Sequence, residues 1–154
     1  MADTMPEPKQ KNNCPNCGGY RNRIATVDAV VLREGKILLI RRTAEPYAGF
    51  WALPGGYMEF DETAEQACLR ELQEETGLIG SQPELIGVFS DPDRHPGQRI
   101  AIAFRIGSVT GTLSAGDDAA AYQWVSPSEL PEQLAFDHEA IIRQALAQDG
   151  GSHA

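Results

Sequence analysis

The stretch Pro54–Gly80, PGGYMEFDETAEQACLRELQEETGLIG, decides how this chain is read. Two glycines, Gly55 and Gly56, lead into a segment with the marks of a helix. Thr63 is placed to cap it, and Gln66 three residues on completes a capping box. Ala64, Ala67, Cys68 and Leu72 recur at helical spacing and define an apolar face. Gly77 is the expected terminator, because glycine accepts the left-handed conformation a helix end needs. The polar side is less ordinary. Glu71, Glu74 and Glu75 fall at i, i+3 and i+4, so their carboxylates share one face. Like charges at that spacing cost about 0.2–0.5 kcal/mol per pair. A helix built for stability alone would interleave lysines, and here only Arg70 stands nearby. The cluster makes chemical sense around a divalent cation, since Mg²⁺ and Mn²⁺ take oxygen ligands and Mg²⁺ commonly shares substrate phosphates. Gly56 could add its backbone carbonyl, because glycine lets the chain come close to a ligand. Taken alone, the glutamates would also suit a solvated acidic face.

On the N-terminal side, IATVDAVVLREGKILLIRR (Ile24–Arg42) reads as two β-branched strands joined at Glu34–Gly35. WALPGG (Trp51–Gly56) is a short strand or loop. Beyond the helix, ELIGVFS (Glu84–Ser90) and QRIAIAFRI (Gln98–Ile106) read as strands around the turn-rich DPDRHPG. GTLSAGDDA is a loop, AAYQWVS (Ala120–Ser126) a strand and SPSELPEQL a short helix or turn. FDHEAIIRQALAQ (Phe136–Gln148) is an amphipathic helix, with Ala140, Ile141, Ala145 and Leu146 as its buried positions. The pattern implies an α/β domain over residues 24–148, a mixed sheet with helices packed on it. It follows a flexible segment 1–23 and precedes a disordered tail, 149–154.

Bulk properties narrow the function. The chain has 154 residues, enough for one domain with a sizeable core. Its 13 basic and 22 acidic residues leave a net charge of −9. That disfavours nonspecific binding to nucleic acid or to an anionic membrane, although metal ions can still bridge an acidic protein to phosphates. No apolar run approaches the ~18 residues of a membrane helix. The N-terminal MADTMPEPKQKNN lacks the apolar core of a secretory signal, so the expected location is cytoplasmic.

The box from Gly56 to Leu78 resembles the signature of the Nudix hydrolases, G-x5-E-x7-R-E-U-x-E-E-x-G-U, where U is bulky and apolar. Gly56 opens it, Glu62 follows after YMEFD, and Arg70-Glu71 after TAEQACL. Leu72, Glu74-Glu75 and Gly77-Leu78 complete it, so every constrained position matches. The resemblance extends over about Ile24 to Gln148. It implies an α/β/α sandwich with a curved mixed sheet, a dependence on Mg²⁺ or Mn²⁺, and hydrolysis of a nucleoside diphosphate linked to another moiety. It assigns metal binding to Glu71, Glu74 and Glu75, with Gly56 as a carbonyl ligand. Arg70 and Glu62 become the pair that orients the loop–helix element. The general base stays open between Glu75 and an acid of the later loop, Asp117 or Asp118, with Asp118 as auxiliary ligand or base; an ordinary polar turn is the alternative for AGDDA. The resemblance also implies a homodimer.

The segment VFSDPDRHPGQRIAIAFRI (Val88–Ile106) is similar to the YSDPxRDPRGH segment of a branch of ADP-ribose pyrophosphatases, and departs from it at His95 and Gly97. The leading expectation is cleavage of ADP-ribose to AMP and ribose 5-phosphate. Arg94 and Arg99 would supply charge near the pyrophosphate. Tyr47 and Phe50, with Trp51 and Phe89, would offer stacking area or else pack in the core. Nucleoside triphosphates, NADH, nucleotide sugars and dinucleoside polyphosphates remain alternatives, as does a non-catalytic nucleotide-binding module.

Three cysteines do not make a disulfide scaffold. Cys14-Pro15-Asn16-Cys17 resembles half of a zinc ribbon, and structural Zn²⁺ takes four ligands. A degenerate remnant, a zinc shared between subunits, and a site completed by a histidine such as His95 all stay open, and with a shared zinc an interaction role. Cys68 reads as a small buried hydrophobe. His95 and His138 read as surface or packing residues, with substrate contact as the alternative; Trp124 reads as core, and His153 lies in the tail.

Overall fold

A computed structural model describes residues 13–114 and 119–151. Asp117, Asp118 and His153, and the tail beyond 151, lie outside these residues. Strands β1 (Ala25–Arg33) and β2 (Lys36–Arg42) form the expected hairpin. Glu34 and Gly35 at its turn have φ of 52° and 74°, the left-handed pair that matches the twist of the flanking strands. Then follow β3 (Trp51–Ala52), β4 (Gly55–Tyr57), helix α1 (Ala64–Thr76), β5 (Ile79–Phe89), β6 (Ile100–Thr110), β7 (Ala119–Val125) and helix α2 (His138–Gly151).

The strands run in the order β3-β2-β1-β6-β5, with β4 paired to β1 and β7 to β2. β1 and β6 are parallel and the other pairs antiparallel, so the sheet is mixed. β1 changes partner along its length. Thr26–Asp28 pair with β4, whereas Leu32 and Arg33 pair with β2. β2 and β4 therefore diverge from a shared neighbour, and the space between them becomes the site. β1 is buried on both faces. Val27, Ala29 and Val31 meet Ala67, Cys68 and Leu72 of α1. Val30 joins Ile141, Ile142 and Ala145 of α2 in a second core cluster. Helix, sheet and helix form the three layers of an α/β/α sandwich.

Helix α1 starts as its sequence indicates: the Thr63 hydroxyl accepts from Gln66 N–H at 3.1 Å, and the Gln66 side chain accepts from Thr63 N–H at 2.8 Å. Gly77 closes it at φ 75°. Several boundaries differ from expectation; β6, for example, runs on to Thr110 rather than ending at Ile106. β5 begins five residues before Glu84, because Ile79 and Gly80 pair with Thr110 and Val109. Pro83 hides this in the sequence, yet proline is tolerated here because β5 is an edge strand. The last helix begins at His138 rather than Phe136, whose φ of 53° is left-handed. Its buried face uses Ile142 where Ala140 was expected; Ala140 is exposed. α2 also continues through residues 149–151, which were expected to be tail. Among the described residues, no helix is long and apolar enough to cross a membrane.

Candidate active site

Arg70 organises the acidic face of α1. Its Nε and one terminal nitrogen donate to the two oxygens of Glu62, at 3.0 and 2.7 Å. Further N–H groups reach Glu71 at 3.0 Å, Glu74 at 3.2 Å and the carbonyl of Tyr57 at 2.9 Å. This fork ties the loop after β4 to the middle of the helix. The Arg70 hydrogen bonds, with the Glu59 N–H, hold the Glu62 carboxyl down at about 2. The carboxylates in turn raise the pKa of Arg70.

The three box glutamates are not equivalent. Glu74 is the outermost, with 57% of its side chain exposed, and faces Arg70. Glu75 is buried. Glu71 lies against Gly56 so closely that a Cβ there would stand 2.5 Å from the Glu71 carboxyl carbon. Gly56 is required at this point for space rather than for backbone freedom. A cavity of about 230 Å³ exposes Gly56, Glu71 and Glu75 together with Arg42 and Tyr57. The donors gathered there are all oxygens, which fits a hard divalent cation. Among the described residues no three acidic, cysteine or histidine side chains converge on one point. Arg70 draws Glu71 and Glu74 to itself in this arrangement.

A second cavity of about 120 Å³ adjoins the first and shares Arg42 and Gly55–Tyr57 with it. Its floor is Asp28, and its wall carries Arg94, His95, Arg99, Phe136 and His138. Chain segment 133–135 pairs with Trp51 and so delivers Phe136, Asp137 and His138 to this wall. Phe136 is its hub. The His95 ring stacks on it at 5.1 Å, and the Arg42 guanidinium sits 4.9 Å from its centroid. Burial and the neighbouring Arg99 keep the His95 pKa low. Buried His138 is pushed down to about 3, and burial pushes Asp28 up to about 7.

The residues expected to bind substrate divide. Arg94 lines the second cavity, but it is buried and forked onto Asp137 at 2.9 and 2.7 Å. It braces the wall rather than offering a loose cation. Arg99 faces the cavity, 5.5 Å from the Tyr57 ring centroid. Tyr47 and Phe50 line neither of these two cavities. Tyr47 packs edge-on against Phe50 at 5.2 Å and against Phe136 at 4.8 Å, behind the wall. Trp51 and Phe89 pack against the α2 core cluster. Trp124 packs partly against the α1 cluster, and Cys68 is buried there, its thiol pKa raised by burial.

Cys14 and Cys17 sit in a tight turn closed by the Gly18 N–H donating to Cys14 O at 2.8 Å. Among the described residues no further ligand joins them. His95 is engaged elsewhere, accepting the Gly97 N–H at 2.7 Å. Nothing among the described residues supports a zinc site at the two cysteines. Sequence reasoning did not single out Asp28, Arg42, Tyr57 or Phe136. Asp28 carried a signal, since a carboxylate in the middle of the apolar run TVDAVV needs a reason to be there.

A metal-compatible acidic helix behind a glycine loop, on an α/β/α sandwich, defines a hydrolase of phosphoanhydrides. A model of the NUDIX domain matches residues 22–145, and the chain belongs to the Nudix family. It is 44% identical over 133 residues to an ADP-ribose pyrophosphatase of Methanocaldococcus jannaschii, covering 86% of this chain and 78% of the relative. The Nudix domain of Shewanella oneidensis NrtR, solved in complex with ADP ribose, superposes with a TM-score of 0.75 at 27% identity, over 90% of this chain and 94% of that one. A bifunctional NMN adenylyltransferase/ADP ribose pyrophosphatase of Francisella tularensis, complexed with AMP and a manganese ion, superposes at 0.71 with 32% identity, over 84% of this chain and 42% of that one. The protein is a Nudix pyrophosphohydrolase.

Proposed function

We propose that this enzyme hydrolyses ADP-ribose to AMP and ribose 5-phosphate, with residues 24–148 as the catalytic unit. The observation that carries this is the pair of joined cavities, one lined by box carboxylates and the next by basic and aromatic groups. A diphosphate that crosses β4 would reach both. The names of the M. jannaschii, F. tularensis and NrtR relatives support the substrate.

Glu71, Glu74, Glu75 and the Gly56 carbonyl would hold Mg²⁺ or Mn²⁺. Such a cation neutralises phosphate charge and acidifies water. Arg70 keeps the glutamates in register with the glycine loop through Glu62. Arg42 and Arg99 attract the phosphates. Water oxygen bonds to one phosphorus while the bridging P–O bond breaks, and Glu75 accepts the water's proton, with Asp118 as auxiliary base or ligand. The products leave as two monophosphates. The reading includes a cytoplasmic enzyme and a homodimer, the latter checked by light scattering.

The deciding experiment separates the products formed with Mg²⁺ from ADP-ribose, NADH, nucleotide sugars, dinucleoside polyphosphates and nucleoside triphosphates. AMP and ribose 5-phosphate, released fastest from ADP-ribose, are expected. Faster release of pyrophosphate from a triphosphate would move the enzyme to another substrate. Glu75→Gln should lower kcat by about 10²–10⁴-fold, the scale of a lost general base, while the thermal melt stays cooperative. Full activity in the Glu74→Gln, Glu75→Gln double variant would remove the box from the mechanism.

A further inference from the structure

Asp28 is the residue whose position the fold alone does not explain. It stands in β1 between Val27 and Ala29 and is 6% exposed. A buried carboxylate is costly unless hydrogen bonds or charges offset it. Its place is nonetheless built. Gly55 presses on it so closely that a Cβ there would lie 2.5 Å from Oδ1.

Its protein contacts compensate it weakly. His138 Nδ1 accepts the Leu53 N–H at 3.0 Å, so in the neutral ring the proton resides on Nε2. That N–H faces Asp28 Oδ1 at 3.5 Å, longer than a good hydrogen bond. Arg94 lies in the same wall but is forked onto Asp137 instead. A valine or leucine in β1 would pack here without the desolvation cost. The carboxylate is retained on the floor of a cavity that opens beside the phosphate cleft.

We propose that Asp28 binds substrate by accepting hydrogen bonds from the hydroxyls of the sugar on the far side of the pyrophosphate, and so selects ribosyl over deoxyribosyl groups. This rests on the reading of the enzyme as an ADP-ribose hydrolase. The chemistry favours a hydroxyl over other partners. A phosphate would be repelled by the carboxylate. A buried carboxyl with weak protein partners is matched by hydroxyl groups, and a vicinal diol presents two. The cavity brings these groups together: Arg42 and Arg99 line it with Asp28, so one ligand can meet both the cations and the carboxyl. His95 and Phe136, stacked on each other, line the same cavity.

The test compares wild type and Asp28→Asn on ADP-ribose and on its analogue lacking the 2-hydroxyl of the terminal ribose. Wild type should prefer ADP-ribose by about 10- to 150-fold in kcat/KM, the range for a hydrogen bond to a charged group. Asp28→Asn should lose a similar factor on ADP-ribose, chiefly through KM, and lose less on the analogue, so that its preference between the two narrows. A merely structural role would lower both substrates equally, and that result overturns the proposal. So does a wild type that turns over both substrates alike, a measurement that stands even if Asp28→Asn does not fold. No turnover of ADP-ribose by wild type would instead overturn the functional reading, and this proposal with it.

Discussion

Arg70 is the residue on which the acidic helix depends. It meets Glu62, Glu71 and Glu74 at once, and its removal leaves three carboxylates facing each other. Arg70→Ala should lower stability by about 1–3 kcal/mol, because partly buried acceptors lose their donor. Chemical denaturation would show this as a lower midpoint. Lysine should recover only part, since a point charge cannot span both oxygens of Glu62. Gly56 is the complementary case. In Gly56→Ala the new methyl would meet the end of the Glu71 side chain rather than backbone, so the fold should survive. Glu71 would be displaced, and a misplacement on the ångström scale costs about 10²-fold in rate. A variant that melts like wild type but keeps full kcat would show that the Gly56–Glu71 contact is dispensable.

At the scale of elements, α1 matters because both its ends are pinned. Thr63→Ala should cost about 1 kcal/mol through the lost cap, read as a lower melting temperature. Gly77→Ala should cost more. The residue has φ 75°, and a Cβ would stand 2.7 Å from Ser114 Oγ and 2.9 Å from the Thr112 carbonyl. Strain and crowding against backbone then add. β4 is the other decisive element. It has only three residues, Gly55–Tyr57, yet it lines both cavities and supplies both glycines that carboxylates press against. α1 was legible because cap, apolar face and terminator all lie in one local pattern. β4 was not, because a three-residue strand has no periodicity to read.

For the whole molecule, the buried groups make a prediction about pH. His138 is held at about 3 against an ordinary 6.5, so the unfolded chain takes up this proton first on acidification. Stability therefore falls as pH drops from 6.5 toward 3. Asp28 has the opposite sign. At about 7 against 3.8, the folded chain binds the proton first, and stability rises as pH drops from 7 toward 3.8. The two contributions cancel where their windows overlap. Glu62, held by Arg70 at about 2 against 4.5, adds stability that is lost as pH falls below 4.5. The melting temperature should stay nearly level from pH 6.5 to 4.5 and drop below that. In Asp28→Asn the decline should begin near pH 6.5, where His138 loses its counterweight. Identical pH profiles for wild type and variant would show that the two groups are not linked in this way.

The sequence by itself determined the class of fold, the hairpin, the capped acidic helix and the set of oxygen donors. Each of these rests on neighbours in the chain: a two-residue turn, a 3.6-residue period, a carboxylate three or four positions from the next. Tertiary structure alone decided which groups share a cavity. Asp28, Gly55, Arg94 and His138 are brought together from β1, β4, the loop before β6 and the start of α2. It also packed Tyr47 against Phe50 and Phe136 and clamped Arg94 onto Asp137. Such choices depend on where the sheet splits and on which side chains the packed layers leave facing the gap, and no local period in the chain encodes that.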